Sequence, residues 1–277
     1  MAANDGVRLD TWLVHNGYAG GREKAKELIA ADYVSVDGRP IKKASFCVTP
    51  AMTVVCTAPA QKYVGRGGYK LEKALSLGGV SVDGAVCMDV GASTGGFTDC
   101  LLRRGAARVF AIDSGSGQLA PSLLADPRVT NMEKCNARYL SPDVLGENFL
   151  FRGGADIIVM DVSFISQTYI HPALRDLLQK GGCAVTLIKP QFEVGREHLG
   201  KHGIVREPKW RRAAVERVFE SATVSGLIPV RFIRSPIEGG DGNVEYLVLF
   251  RLSCDAQDEC LDASKLPAEL FGNKNSQ

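Results

Sequence analysis

The stretch Met88-Asp89-Val90-Gly91-Ala92-Ser93-Thr94-Gly95-Gly96-Phe97 constrains this chain more than any other. It follows an apolar run and precedes an amphipathic one. A glycine-rich turn between a strand and a helix is where a doubly wound α/β sheet takes a nucleotide-like ligand, because glycines accept positive φ and let the ligand approach the backbone. The spacing is G-x-S-x-G-G, not the G-x-G-x-x-G of dinucleotide sites. Asp89, at the strand end, is placed to accept from an ammonium group or an ordered water. S-adenosylmethionine carries such an ammonium; a pyrophosphate does not. Twenty-four residues on, Asp113 closes the run Val109-Phe110-Ala111-Ile112, where an acid accepts the ribose hydroxyl protons of an adenosine cofactor. The plain alternative is a tight turn with a capping aspartate.

Around this turn, helical stretches alternate with short apolar runs. The runs are 86–90, 108–112, 129–132, 157–160, 183–188, 230–233 and 245–250; the helical stretches lie near 70–77, 96–104, 117–125, 167–179 and 209–225. That alternation predicts a parallel α/β sheet covered on both faces. The last two runs are joined without a helix, so they should pair antiparallel. Residues 1–60 read as a separate small module. Amphipathic helices are expected over 8–15 and 22–30, then a strand over 33–36, an Asp37-Gly38 turn, a return from Ile41 and a closing run over 53–56. A linker spans about 57–64, the larger domain 65–254 and an acidic tail 255–277. The tail holds five acids against two lysines and is expected to be a solvated, poorly ordered extension.

Charge and cysteine usage exclude several classes. None of the eight cysteines forms a CxxC pair, so no metal site is expected and the thiols read as reduced. His198 and His202 are four apart, but in a glycine-rich stretch that is not helical. No apolar run is long enough to span a bilayer. The opening MAANDGVRLD lacks the basic-then-apolar pattern of a secretion signal, so a cytoplasmic location without a membrane partner is expected.

Four charged residues fall where such sheets bind ligands. Asp161 follows the run 157–160, Lys189 follows 183–188, Lys70 comes after Arg66-Gly67-Gly68, and Glu245 opens the final run. A charge directly after a buried strand must face a cleft or find a partner. A ribose 2′-hydroxyl is a weak nucleophile that needs a base or a nearby cation, held in line with the bond to be broken. Two lysines and two carboxylates meet that need. Taken singly, Lys70 or Glu245 reads better as a surface charge or a helix cap, whereas Asp161 and Lys189 are harder to dismiss.

At this point the chain resembles a known family. The segments Arg66-Gly67-Gly68-Tyr69-Lys70-Leu71, DVGASTGGFTDCLLRRGA (89–106), MDVSFIS (160–166), LIKPQFEVGRE (187–197), GKHGIVRE (200–207) and SPIEGGDGNVEYL (235–247) are similar to the TlyA, or hemolysin A-like, family over roughly residues 7–251. The resemblance implies an S4-like α+β RNA-binding domain followed by an FtsJ/RrmJ-type domain. The latter would be a Rossmann-like class I methyltransferase sheet, mostly parallel with an antiparallel C-terminal hairpin strand. It implies 2′-O-methylation of ribosomal RNA, at cytidines, with S-adenosylmethionine as cofactor. The family's catalytic tetrad falls on Lys70, Asp161, Lys189 and Glu245, with Lys189 activating the hydroxyl, Lys70 assisting and the acids positioning both. The cofactor site falls on Asp89, Gly91, Ser93, Gly95, Gly96, Phe97 and Asp113, with Asn136 near the adenine. Where the family has a Gly-Tyr-Gly-Gln run, this chain has Ser114-Gly115-Ser116-Gly117-Gln118, without the aromatic. Gly21-Arg22 replaces Ser-Arg, Asp32 stands where glycine is common, and Gly65 replaces a serine.

The expected RNA contacts are Arg8, Arg22, Lys24, Lys26, Lys42 and Lys43 in the N-terminal module, and Arg66, Arg196, Lys201 and Arg206 in the larger domain. In the module these cations, with Arg39, barely outnumber six acids, so an RNA surface there has to be a one-sided patch of phosphate contacts. A charged solvated face is the bland alternative. Gly195 to Arg212 is basic and glycine-rich, and is expected to be a mobile loop closing over the target nucleotide. The expected partner is ribosomal RNA or a ribosomal subunit, with no obligate protein partner. Competing readings are a non-catalytic RNA- or ribosome-binding protein and a 2′-O-methyltransferase of another RNA. A pore-forming hemolysin needs a long amphipathic or spanning element, and none is evident.

Overall fold

The computed structural model describes residues 6–19, 21–58, 62–146, 153–240, 242–253 and 260–272. The chain divides into two units, Met1–Lys62 and Tyr63–Gln277. Residues 59–61 of the expected linker, and 255–259 and 273–277 of the expected tail, lie outside the described residues.

In the first unit, helix α1 (Leu9–His15) buries Leu9 and Leu13, and α2 (Arg22–Ala30) buries Ala25, Leu28 and Ile29. These are the i, i+3, i+4 positions of one helical face. Strand β1 (Val7–Arg8) precedes α1, so Arg8 lies outside the helix expected over 8–15. Strand β2 (Val34–Val36) alternates buried and half-buried residues, and pairs antiparallel with β3 (Arg39–Pro40) and β5 (Val54–Cys56). Asp37 and Gly38 join β2 to β3 with both φ positive, 50° and 76°, as a two-residue hairpin requires. The return strand is thus Arg39–Pro40, ahead of the expected Ile41. Pairing of β1 with β4 (Cys47–Val48) was not expected; two-residue strands carry no periodicity to read.

The second unit is a seven-stranded sheet. Its strands are β6 (Val86–Val90), β7 (Arg108–Ile112), β8 (Val129–Met132), β9 (Ala155–Met160), β10 (Leu178–Ile188), β11 (Leu227–Arg234) and β12 (Tyr246–Leu252), in the order β11-β12-β10-β9-β6-β7-β8. Strands β6 to β10 run parallel, and β12 is antiparallel to both β10 and β11. Alternate residues serve opposite faces. Met88 and Val90 join Leu174, Val215 and Val218 in one core, while Cys87 joins Leu71, Phe97 and Leu101 in the other. Helices α3 (Gly67–Gly78) and α4 (Gly96–Arg103) cover the second face; His171–Leu177 and Pro208–Val224 cover the first. The larger unit is therefore a Rossmann-like α/β sheet, mostly parallel with an antiparallel C-terminal hairpin strand, and a small α+β unit precedes it in the sequence.

Several boundaries moved. The helix expected over 117–125 shrinks to Pro121–Leu124. The one expected over 167–179 breaks into a turn at Gln167–Tyr169 and a helix at His171–Leu177, because β10 begins at Leu178 and bends through an irregular register before Cys183.

The expectation of a solvated tail is overturned for residues 260–272. Phe271 is 1% exposed and packs beside Phe232 and Tyr246. The Arg212 guanidinium lies 4.5 Å from the centre of the Phe271 ring and donates to Ala263 O at 2.7 Å and Leu266 O at 2.9 Å. Buried Arg211 donates through Nε to Val205 O and through Nη1 to Phe271 O, both at 2.9 Å. The acids disguised a segment whose few apolar side chains and bare carbonyls suit this helix. Arg211→Ala leaves those carbonyls unpaired inside the protein, so it should destabilise the larger unit by about 2–4 kcal/mol in urea unfolding. A loss below about 0.5 kcal/mol, the level of an ordinary surface substitution, would show that the docking is incidental.

Candidate active site

The turn after β6 is shaped by its own packing. Gly91 has φ +86°, and a Cβ there would lie 2.4 Å from Asp161 O; Gly95 has φ +95°, and a Cβ there would meet Leu123 at 2.2 Å. A Cβ on Gly96 would press on the backbone of Gly65 and Gly68. Asp89 is fully buried, and its Oδ2 accepts from Thr98 N at 2.8 Å and Thr98 Oγ1 at 2.6 Å, fixing the first turn of α4. Among the described residues its Oδ1 has no hydrogen-bond partner. Burial pushes the carboxyl up to about 7, against the pull of the Thr98 bonds. Asp113 accepts from Ser93 N at 2.8 Å and Gly115 N at 2.7 Å, while Ser93 Oγ donates to Gln118 at 3.2 Å. Asp113 thus ties the turn after β6 to the Ser114–Gln118 segment.

Two clefts open at the carboxyl ends of the strands. The larger, about 550 Å³, is walled by Gly91, Ser93, Asp113, Gly115, Gln118, Asn136 and the Asp161–Ile165 segment. Its volume is that of a small-ligand site. The smaller, about 200 Å³, shares Gly91, Ser93, Asp161 and Ser163 with the first and adds Arg66, Gly96, Phe97 and Lys189. Asp89 and Gly95 line neither cleft; they lie beneath the loop that does. Asn136 Oδ1 takes Arg138 N at 3.0 Å. The expected cofactor residues therefore divide into wall and foundation. The donor set fits S-adenosylmethionine: the orphaned Asp89 oxygen supplies negative potential under the loop, and a carboxylate holding two N–H groups, as Asp113 does, keeps further acceptor capacity.

The four charged residues come together as two ion pairs. Lys70, inside α3, bonds Glu245, which directly precedes β12; both are buried. Burial raises the Glu245 pKa, Lys70 and Lys189 lower it, and Asp161 raises it again, so all four share one electrostatic neighbourhood. Lys189 Nζ lies 2.6 Å from Asp161 Oδ1, an ionic contact, and makes its aligned hydrogen bond to Ser163 Oγ at 2.8 Å. Of the two lysines, only Lys189 faces the smaller cleft. Ser163 was missed by sequence reasoning; its place two residues after Asp161 was the available signal.

In the N-terminal unit, five of the six expected RNA contacts are in local ion pairs. Arg8 and Arg22 share the enclosed Asp10 carboxylate, at 2.9 and 3.1 Å, and the bond from Arg8 leads in holding it well below the usual carboxylate range. Lys24 pairs with Glu27, Lys26 with Glu23 and Lys42 with Asp32, while Lys43 is exposed. The three lysine pairs are exposed, and surface pairs of that kind are worth about 0–1 kcal/mol, so a phosphate can displace them. In the larger unit Arg66 borders the smaller cleft, and Arg196, Lys201 and Arg206 are exposed. The segment carrying the last three is tethered rather than a free loop. Asn243 accepts from Val205 N at 3.0 Å and donates to Gly203 O at 3.1 Å, and His198 stacks on Trp210. Arg211 and Arg212, counted with that basic stretch, turn inward to residues 263–272. No helix among the described residues is long and apolar enough to cross a membrane.

Comparison with known proteins agrees with this architecture. The FtsJ-like methyltransferase family matches residues 63–252, and the S4 domain family matches residues 7–54. The chain is 44% identical over 251 residues to the 16S/23S rRNA (cytidine-2′-O)-methyltransferase TlyA of Mycobacterium tuberculosis, covering 90% of this chain and 91% of that one. It is 38% identical to Hemolysin A of Brachyspira hyodysenteriae, over 88% of this chain and 99% of that one. A solved structure from Streptococcus thermophilus that bears the name of a hemolysin superposes with a TM-score of 0.74 at 36% identity, over 97% of this chain and 95% of that one. With an FtsJ-like sheet whose carboxyl edge opens into a ligand-sized cleft and an S4 domain before it in the sequence, the chain belongs to the TlyA, or hemolysin A-like, family of S-adenosylmethionine-dependent methyltransferases.

Proposed function

We propose that this protein transfers a methyl group to a ribose 2′-hydroxyl of ribosomal RNA, at a cytidine, within a ribosomal subunit. The observation that carries the reading is the placement of Lys189, held by Asp161 and Ser163, on a small cleft that shares a wall with the cofactor cleft. The relative from Mycobacterium tuberculosis is named for the same reaction.

When bound, S-adenosylmethionine supplies an electrophilic methyl group on a positively charged sulfur. Gly91, Ser93, Asp113 and Asn136 form its walls, over Asp89 and Gly95, with Gly96 and Phe97 on the adjoining smaller cleft. Lys189 Nζ, having released its resting proton to solvent, would take the proton of the 2′-hydroxyl as the oxygen gains the methyl group that the cofactor sulfur releases. Asp161 balances the charge that Lys189 then holds, and Ser163 fixes its direction. The buried Lys70–Glu245 pair adds a fixed cation and anion behind them, so the four charges sum to zero once Lys189 holds the proton. Arg8, Arg22, Lys24, Lys26, Lys42 and Lys43 engage phosphates through the S4 domain, and Arg66, Arg196, Lys201 and Arg206 through the methyltransferase domain. The target base leaves its stack so that its ribose reaches the cleft.

The test is tritiated methyl transfer from S-adenosylmethionine into ribosomal subunits that lack the modification. Label at a ribose 2′-oxygen of a cytidine is the expected result. A protein that binds the cofactor but labels neither subunit would refute the reading.

A further inference from the structure

Behind the Asp161–Lys189 pair lies a buried carboxylate with no part in the mechanism above. Glu193 ends the single helical turn Pro190–Glu193, which Lys189 opens. It is 3% exposed. Among the described residues its carboxylate accepts two hydrogen bonds, both from the segment that follows Asp161. Ser166 Oγ donates to Oε2, and Gln167 N donates to Oε1 at 3.0 Å. Arg217 Nη1 reaches the Glu193 backbone carbonyl at 2.9 Å, not the carboxylate. Burial raises the Glu193 pKa, while the bonds from Ser166 and Gln167 and the charge of Arg217 pull it back.

Burying a carboxylate without a cation on its oxygens is costly unless the bonds it makes do something an apolar side chain cannot. Here they join two loops that carry the reacting groups. One runs from Asp161 through Ser163 to Gln167, and begins with Asp161 N donating to Val90 O at 3.0 Å. The other runs from Lys189 to Glu193. A second contact spans the same pair of loops: the rings of Phe164 and Phe192 lie 5.3 Å apart, with Phe164 at φ +65°. The polar network continues inward, Gln167 Oε1 accepting from Thr186 Oγ1 of β10 at 2.7 Å. Both loops are thereby referenced to the sheet and to each other.

We propose that Glu193 is a positioning residue for methyl transfer: its carboxylate locks the Asp161–Gln167 segment to the turn opened by Lys189, and so sets the Asp161–Lys189–Ser163 geometry at the smaller cleft. This rests on the assignment of Lys189 made above. The loss expected on unlocking is that of a small displacement of reacting groups rather than of a reacting group itself.

The experiment uses the full chain, unmodified ribosomal subunits and tritiated S-adenosylmethionine. Glu193→Ala should lower kcat by about 10- to 100-fold, with KM for subunits and cofactor affinity held within about threefold, at a temperature where circular dichroism shows it folded. Glu193→Gln should recover to within about threefold of wild type, because its amide oxygen still accepts from Gln167 N and the Ser166 hydroxyl can turn to accept from the amide. A folded Glu193→Ala with wild-type kcat overturns the proposal, as does a Gln variant no better than Ala. If Glu193→Ala fails to fold, Ser166→Ala decides: a kcat loss of about 3- to 10-fold supports the lock, and none overturns it. Wild-type protein that labels neither subunit would instead refute the functional reading itself.

Discussion

Replacing Lys189 by alanine is expected to slow methyl transfer by about 10²- to 10⁴-fold, the range lost with a positioned general base. The 2′-hydroxyl loses its proton acceptor, and Asp161 is left facing the smaller cleft with its cation gone. Cofactor binding should change little, because Lys189 does not line the larger cleft. Lys189→Arg separates charge from proton transfer. A guanidinium keeps the positive charge but does not deprotonate in proteins. An Arg variant as slow as Ala assigns Lys189 the proton-accepting role; one near wild type means that a fixed cation is enough. Single-turnover tritium transfer into subunits at saturating cofactor reads the chemical step directly. An Ala variant within tenfold of wild type would remove Lys189 from the reaction.

Gly91→Ala should damage both the fold and the site. Gly91 sits at φ +86°, where an L side chain costs about 1–2 kcal/mol. Its added Cβ would also stand 2.4 Å from the carbonyl oxygen of Asp161, a backbone atom that moves only if the end of β9 moves. The sum is expected at about 2–4 kcal/mol of stability in urea unfolding. The displaced residue is the partner of Lys189, so activity should fall at least about tenfold in the protein that remains folded. Gly84→Ala is the control. Gly84 has φ +71° with nothing within 4 Å of its Cβ position, so it carries the strain alone, about 1–2 kcal/mol, with normal transfer. Equal effects at the two positions would show that Gly91 answers only to backbone strain and not to its approach to Asp161.

Local patterning was enough to read much of this protein. The bounds of β6 and β7 follow from apolar runs bordered by glycine and charge, because a strand buried on both faces has few polar positions to blur its ends. The two helices of the S4 domain follow from the spacing of Leu9, Leu13, Ala25, Leu28 and Ile29. The glycine turn, the acid at the end of β7 and the antiparallel final pair are equally local signals. Each residue there reports its own burial or its own backbone angle, and neighbours within a turn or two are enough to interpret it.

Pairing is a different kind of information. Lys70 and Glu245 meet across 175 positions, and only the order of strands in the sheet decides that Lys70 takes Glu245 while Lys189 takes Asp161. The same holds for Ser163 under Lys189, for Glu193 reaching back to Ser166 and Gln167, and for Asn243 pinning the basic segment that its glycines had marked as mobile. Arg211 and Arg212 read as surface charge beside other cations, yet they cap carbonyls of a segment whose acids had marked it as solvated. The sequence by itself determined which elements form and which residue types stand at the carboxyl edge of the sheet, since those follow from short-range sterics and hydrophobic periodicity. The tertiary structure alone decided which charges neutralise one another and which stay open to a substrate, because that depends on distances between residues far apart in the chain and on the burial that makes an unpaired charge costly.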